Sequence, residues 1–178
     1  MAQRTALYDW HVAHGARMVD FAGWDMPIQY TSIIEEHQAV RAAAGIFDIS
    51  HMGRLWFEGA NALDFVQKIF TNNVATMKEG QVRYGLICDE RGGILDDVLV
   101  YRWADGIGMV VNASNREKIV AWIARHQGAI KVSVHDVTTQ GFMVAVQGPR
   151  AVCVMRCGRH CLAKQPDTVG WPFVGGTP

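Results

Sequence analysis

The chain has 178 residues, 49% of them apolar and 19% charged. That is the size of one ordinary domain, or of a domain with part of another, and it holds too much apolar material for a disordered chain. Seventeen basic residues balance seventeen acidic ones, so no positive excess is available for a phosphate backbone and no nucleic-acid partner is expected.

The apolar runs, such as Val98-Leu99-Val100-Tyr101, are short and interrupted by charge, whereas about 20 apolar residues are needed to cross a bilayer. Residues 1–5 carry neither an apolar nor a basic amphipathic leader. A soluble, cytoplasmic protein without membrane attachment is therefore expected.

Thr5 is placed to cap a short helix carrying Leu7, Trp10, His11 and His14, with Gly15 as its stop. Residues 16–30 have no helical period. They hold Phe21, Trp24, Met26 and Tyr30 among Gly23 and Pro27, which predicts extended chain with turns. Ser32 and Glu35 have capping-box spacing ahead of a helix that ends at Gly45. Residues 54–58 alternate polar and apolar, as a half-buried strand does. A second amphipathic helix over 61–70 turns Leu63, Val66, Ile69 and Phe70 inward.

Residues 82–88, 94–103 and 107–112 predict antiparallel strands joined by turns at 89–93 and 104–106. Ser114 and Glu117 repeat the capping-box spacing. They open a helix with Ile119, Val120, Trp122 and Ile123 inside, which stops at Gly128. Strands over 130–134 and 142–146 follow. The order strand, helix, two or three strands, helix, strand over 53–136 fits a split βαβ layer of the ferredoxin-like type, so the fold class is α+β.

Cys88 stands alone in an apolar run and reads as a buried thiol. Cys153, Cys157 and Cys161 fall within nine residues, with His160 beside the last. That spacing differs from the tighter Cys pairs of structural zinc sites and has no second half-site, so no metal is expected. Composition shifts after Pro149, and hydrophobic periodicity fades beyond Leu162. A tail of this kind is hard to fit into a compact core and is expected to be poorly ordered.

No P-loop, dinucleotide glycine fingerprint, zincin motif or nucleophile elbow occurs. The candidate for chemistry is Asp96-Asp97, two adjacent carboxylates inside the apolar run Ile94 to Tyr101. Neighbouring strand residues point to opposite faces, so only one of the pair faces any given pocket. A carboxylate in an apolar strand costs several kcal/mol unless it is partnered. From the residues alone two uses stay open. Both aspartates satisfy backbone N–H groups or an arginine, or one of them does chemistry. Ser50-His51-Met52-Gly53 is a second cluster, whose histidine reads more readily as a hydrogen-bonded structural group. Tyr84, Tyr101 and Trp103, at strand positions near Asp97, could wall a flat ligand or simply pack.

The ordered segments are more specific than any one motif. They run 16–24 (Ala-Arg-Met-Val-Asp-Phe-Ala-Gly-Trp) with Met26-Pro27, then Glu36-His37-Gln38-Ala39-Val40-Arg41, then 47–53 (Phe-Asp-Ile-Ser-His-Met-Gly). Residues 92–101 (Gly-Gly-Ile-Leu-Asp-Asp-Val-Leu-Val-Tyr), Val110-Val111-Asn112-Ala113 and Val146-Gln147-Gly148-Pro149 follow in order. Over roughly residues 3–152 the chain resembles the glycine cleavage system T-protein family, the aminomethyltransferases. The resemblance implies tetrahydrofolate as acceptor substrate and the lipoylated H-protein as donor and partner. The aminomethyl carbon passes to tetrahydrofolate as 5,10-methylenetetrahydrofolate, ammonia is released, and no metal takes part.

The family's key aspartate falls on Asp97, where it orients the folate and makes an amine nitrogen more nucleophilic. Family folate contacts fall on Met52, Tyr84, Tyr101 and Asn112, and Asp96 becomes the structural partner on the opposite face. The implied layout is a first segment of a discontinuous domain over 1–52, a ferredoxin-like domain over 53–136, a return over 137–152, and a tail over 153–178 that does not align. Family members are longer than this chain, so several pocket walls are expected to be missing and turnover impaired. Another folate-dependent demethylase-type domain, or a remnant that binds folate or H-protein without turnover, are the alternatives.

Overall fold

The structure, a computed structural model, describes residues 2–162. In chain order it contains β1 (Gln3–Arg4), α1 (Tyr8–Ala13), β2 (Arg17–Phe21), β3 (Trp24–Gln29), α2 (Ile33–Ala42) and β4 (Gly45–Asp48). Then come β5 (Gly53–Glu58), α3 (Ala62–Ile69), β6 (Val82–Cys88), β7 (Ile94–Arg102) and β8 (Ile107–Val111). A 3-10 turn at Ala113–Asn115 leads into α4 (Arg116–Gln127), followed by β9 (Ser133–Asp136), β10 (Val144–Gln147) and α5 (Ala151–Leu162). The described residues divide into two units, 2–51 with 141–162, and 52–140.

In the first unit β2 and β3 form an antiparallel hairpin, and β1 adds in parallel to the other edge of β3. Ala22 and Gly23 both have positive φ, 52° and 79°, as the tight hairpin turn between β2 and β3 requires. Because Gln3–Arg4 is committed to the sheet, Thr5 does not cap α1. Leu7 occupies the cap position without a side-chain bond, and Thr5 is buried with its carbonyl accepting from Tyr8 N at 3.1 Å.

Ser32 does cap α2, its Oγ accepting from Glu35 N at 3.2 Å. The reciprocal contact comes from Glu36 rather than Glu35: its Oε1 accepts from Tyr30 N at 2.6 Å and Thr31 N at 2.8 Å. β4, not foreseen as a strand, pairs antiparallel with β10 from Gly45↔Gln147 to Asp48↔Val144. The predicted strand at 142–146 lies two residues early, since Phe142 is 62% exposed and the ladder begins at Val144. α5 carries regular structure to Leu162, beyond the segment that aligned by motif. Of the tail expected to be poorly ordered, 153–178, the part up to Leu162 is helical in α5; the part from 163 on, and the side chains of Cys157, His160 and Cys161, lie outside the described residues.

The second unit is a five-stranded antiparallel sheet in the order β6-β7-β8-β5-β9. β8 is inserted between β5 and β7, which gives the split βαβ arrangement with β6 added at the edge. α3 and α4 supply the apolar cover: Phe65, Val66, Ile69, Ile119 and Ile123 pack with Leu55, Phe57, Ile87, Val98, Val100, Met109 and Val111. Burial of side chains this size contributes about 1.5–3 kcal/mol each, so this cluster is the stability of the unit.

Phe65, fully buried, is a core residue that the inward set predicted for α3 omitted, whereas Val120, expected inside α4, is 37% exposed. Gly128, with φ 51°, ends α4 as predicted. The last strand starts at Ser133 rather than 130, because Ile130 N and the Gln127 side chain close a turn with Gln127 O and Val132 O.

Candidate active site

The pleat of β7 separates the two aspartates. Asp96 shares the helix-side face with Val98 and Val100 and is 2% exposed. Asp97 faces the other way with Leu99 and Tyr101 and is exposed.

Asp96 is partnered by three donors. Its Oδ2 accepts from Asn112 N at 2.9 Å, and its Oδ1 accepts from Asn112 Nδ2 at 2.8 Å and Asn115 Nδ2 at 2.6 Å. These bonds explain the start of α4. The predicted Ser114/Glu117 capping box does not form, since Ala113–Asn115 closes as a 3-10 turn with Asn115 N on Asn112 O at 3.0 Å. Asn115 takes the cap position with its side chain given to Asp96 instead.

Asp97 is held from two sides on the open face. Asn112 Nδ2 donates to its Oδ1 at 2.9 Å and to its backbone carbonyl at 3.1 Å, and Tyr84 Oη donates to its Oδ2 at 3.3 Å. Tyr84 reaches it from β6, one strand away, where Leu86 is the register partner of Asp97. Local desolvation first and the Asp97 charge second hold the Tyr84 phenol above its ordinary 10.0, which keeps it a donor. A carboxylate with this geometry still has lone pairs for an incoming N–H, since an ionised carboxylate only accepts.

Tyr101 lies four residues further along the same face of β7, roughly 13 Å from Asp97 at strand spacing. Its ring stacks on Trp103 at 6.3 Å and 9°, and burial pushes its phenol up. Met52 precedes β5, and its carbonyl accepts from Arg54 Nη1 at 3.4 Å. Hydrogen bonds therefore join Asp97, Tyr84 and Asn112. Tyr101 shares their sheet face, and among the described residues no hydrogen bond ties Met52 or Tyr101 to Asp97.

Asn115 is the site residue that the sequence reading missed. The signal available was an Asn-x-x-Asn spacing immediately after a strand that pairs with the acidic one. Cys88, read as buried, is half-buried at the end of β6.

In the second cluster, Ser50 and His51 make contacts within the first unit. Ser50 N donates to Asp48 Oδ1 at 2.9 Å, its Oγ exchanges bonds with the backbone of Met143, and the His51 ring meets Phe21 edge-on at 5.4 Å. The first unit also holds a cavity of about 1200 Å³ lined by Trp10, Tyr30, Val40 and Phe47. Its buried polar groups are paired with one another: His11 Nε2 meets Asp48 Oδ2 at 2.9 Å and His11 Nδ1 meets Tyr30 Oη at 2.6 Å. Both ring nitrogens of His11 are thus used within the cavity wall.

Residues 7–162 match the family model of the GCVT N-terminal domain. The chain belongs to the GCVT family. It is 48% identical over 149 residues to an aminomethyltransferase from Rubrobacter xylanophilus, covering 84% of this chain and 40% of that protein. It is 45% identical over 159 residues to an aminomethyltransferase from Bacillus licheniformis, covering 88% and 43%. Among solved structures, the glycine cleavage system aminomethyltransferase T of Bartonella henselae superposes with a TM-score of 0.83 at 34% identity, over 88% of this chain and 44% of that one. This GCVT chain thus spans under half the length of these relatives. The match agrees with the family and the α+β fold expected from the ordered motifs.

Proposed function

We propose that this chain serves tetrahydrofolate-dependent aminomethyl transfer. The one-carbon unit carried on the lipoyl arm of a glycine cleavage H-protein passes to tetrahydrofolate, and ammonia leaves. The observation that carries this reading is the Asp97 carboxylate, exposed on the helix-free face and aimed by Asn112 and Tyr84. A folate amine nitrogen that donates its hydrogen to Asp97 gains electron density for attack on the aminomethyl carbon, and the carboxylate stabilises the positive charge that develops.

The surrounding residues fit a flat, donor-bearing ring. Tyr84, 59% exposed, and Tyr101 offer aromatic surface on one sheet face, and Met52 offers an adaptable apolar contact. Asn112 spends its N–H groups on the two aspartates, so it meets a ligand with its carbonyl oxygen. No step in this reading calls on a metal. Among the described residues no helix is long and apolar enough to cross a membrane, which is compatible with the cytoplasmic setting we propose.

That the chain covers 40–44% of its relatives favours a second reading, in which it binds folate or H-protein with impaired or no turnover. Calorimetric titration with tetrahydrofolate, run beside Asp97→Asn, tests the first reading. Saturable binding that the substitution weakens about ten- to a hundredfold, the worth of one hydrogen bond to a charged acceptor, is expected. Unchanged affinity in Asp97→Asn would sink the assignment. A coupled assay for methylenetetrahydrofolate with aminomethylated H-protein then separates turnover from binding alone.

A further inference from the structure

Asp97 is exposed, yet its carboxylate has one orientation. The tighter restraint is Asn112 Nδ2 at 2.9 Å, since the Tyr84 hydroxyl stands at 3.3 Å. Asn112 in turn does not set its own orientation. Its Nδ2 faces three oxygens, Oδ1 of Asp96, Oδ1 of Asp97 and the Asp97 carbonyl. Turning the carboxamide over would put its oxygen against all three, two of them carboxylate oxygens.

What holds the amide from behind is Asp96, buried on the opposite face, which grips Asn112 at two points, backbone N and side-chain Nδ2. Asp96 Oδ1 is itself fixed by Asn115 Nδ2 at 2.6 Å from the turn before α4. The chain of bonds therefore runs from the helix side of the sheet, around the end of β8, to the open face.

We propose that Asp96 and Asn115 are positioning residues for Asp97: they fix the Asn112 carboxamide, and that carboxamide fixes the Asp97 carboxylate. This rests on the reading of Asp97 as the folate-facing group. A carboxylate aimed before the ligand arrives loses less side-chain freedom on binding, and residues behind it supply that aim.

The test uses Asn115→Ala, which leaves two of the three donors to Asp96 in place, with Asp96→Asn as a second variant. Two readouts are taken on the full chain. The first is the alkaline titration of the Tyr84 phenol together with the side-chain amide resonances of Asn112. Both report where the Asp97 carboxylate and its partner sit, and neither requires a ligand. The second is calorimetric affinity for tetrahydrofolate in a double-mutant cycle with Asp97→Asn.

We expect Asn115→Ala to shift the Asn112 resonances and move the Tyr84 titration. It should weaken tetrahydrofolate about tenfold when Asp97 is present and add nothing when Asp97→Asn is already made. Equal losses on both backgrounds, or an unmoved Tyr84 titration and unmoved Asn112 resonances in both variants, would overturn the proposal. If the unaltered chain fails to bind tetrahydrofolate while Asn115→Ala still moves the Tyr84 titration, the folate reading falls and the positioning of Asp97 stands.

Discussion

Truncating Asp96 or Asp97 to Ala removes the same atoms from adjacent positions, and the structure sets very different costs. Asp96→Ala strands two donors, Asn112 N and Asn115 Nδ2, while Asn112 Nδ2 keeps its bonds to Asp97. Each buried donor left without a partner costs about 1–3 kcal/mol. The Asn115 side-chain amide can swing towards water, but the Asn112 backbone N–H cannot. We therefore expect the lower half of the summed range, about 2–4 kcal/mol. Against a total stability of about 5–15 kcal/mol for a domain, that is a severe loss. It lowers the melting temperature of a unit the size of residues 52–140 by about 4–8 °C for each kcal/mol.

Asp97→Ala takes an exposed side chain from the open face and leaves Asn112 Nδ2 bonded to Asp96 and to the carbonyl of residue 97, so its cost lies within about 0.5 kcal/mol. Urea denaturation of both variants, followed by tryptophan fluorescence and by amide exchange of the β7 and β8 strands, reads the difference. Equal losses, or a larger loss for Asp97→Ala, would refute the division of the pair into a buried anchor and an exposed carboxylate.

Two further outcomes follow from packing and titration. A Cβ at Gly85 would stand 2.5 Å from both Cε2 and Cζ of the buried Phe70 ring, so Gly85→Ala should lower stability by about 1–3 kcal/mol through overpacking, and Phe70→Leu in the same chain should recover part of it in urea midpoints. Burial alone would raise the Asp48 and Asp136 carboxyls. Hydrogen bonds from Ser50 and His11 to Asp48, and from Arg116 and Thr138 to Asp136, outweigh it and leave both lowered from 3.8. A carboxyl depressed in the folded state contributes stability that is complete above its unfolded value and is lost as pH falls through its folded one. Urea midpoints should therefore drop steeply below pH 3.8. Asp48→Asn and Asp136→Asn should each flatten that drop, and curves parallel to the unaltered chain would contradict the assignment.

The strands and helices of residues 52–140 were legible because burial follows period in the sequence. Val98 and Val100 point in while Leu99 points out, and Val66 and Ile69 share the inner stripe of α3. Misreadings arose where a distant partner outbid a local one. Ser114 and Glu117 have the spacing of a cap, but Asn115 is drawn to Asp96, 19 residues back. Gly45-Ile46-Phe47-Asp48 is too short to announce itself as a strand, and its ladder is completed by β10 about a hundred residues later. Thr5 precedes a helix, but strand pairing of Gln3 with Trp24 carries it into the interior.

At the site, alternation showed that only one aspartate could face a pocket. That it is Asp97 came from the family resemblance, not from the period. The link through Asn112 joins residues 15 and 16 apart on neighbouring strands, which no local pattern encodes.

What decides the phase of the pair is a feature of the ladder itself. β6 and β7 run in register from Val82↔Tyr101 to Ile87↔Asp96 and then slip, so that Cys88 meets Ile94 and Leu95 has no partner. Leu95 and Asp96 both turn towards the core, Leu95 packing against it and Asp96 2% exposed, as two successive residues do at a bulge. Were Leu95 paired in an unbroken ladder, with no bulge, the alternation from Ile94, 67% exposed, would place Asp96 outward and Asp97 in the apolar layer, since a shift of one residue exchanges every side chain between faces. Asp97 would then lie behind the sheet, and Asp96 would stand on the open face without the two-point grip that Asn112 now gives it. The irregularity at Leu95 is thus what assigns burial to one carboxylate and exposure to its neighbour. Its place immediately before the pair is where a strand must be re-aimed if adjacent acids are to serve different ends.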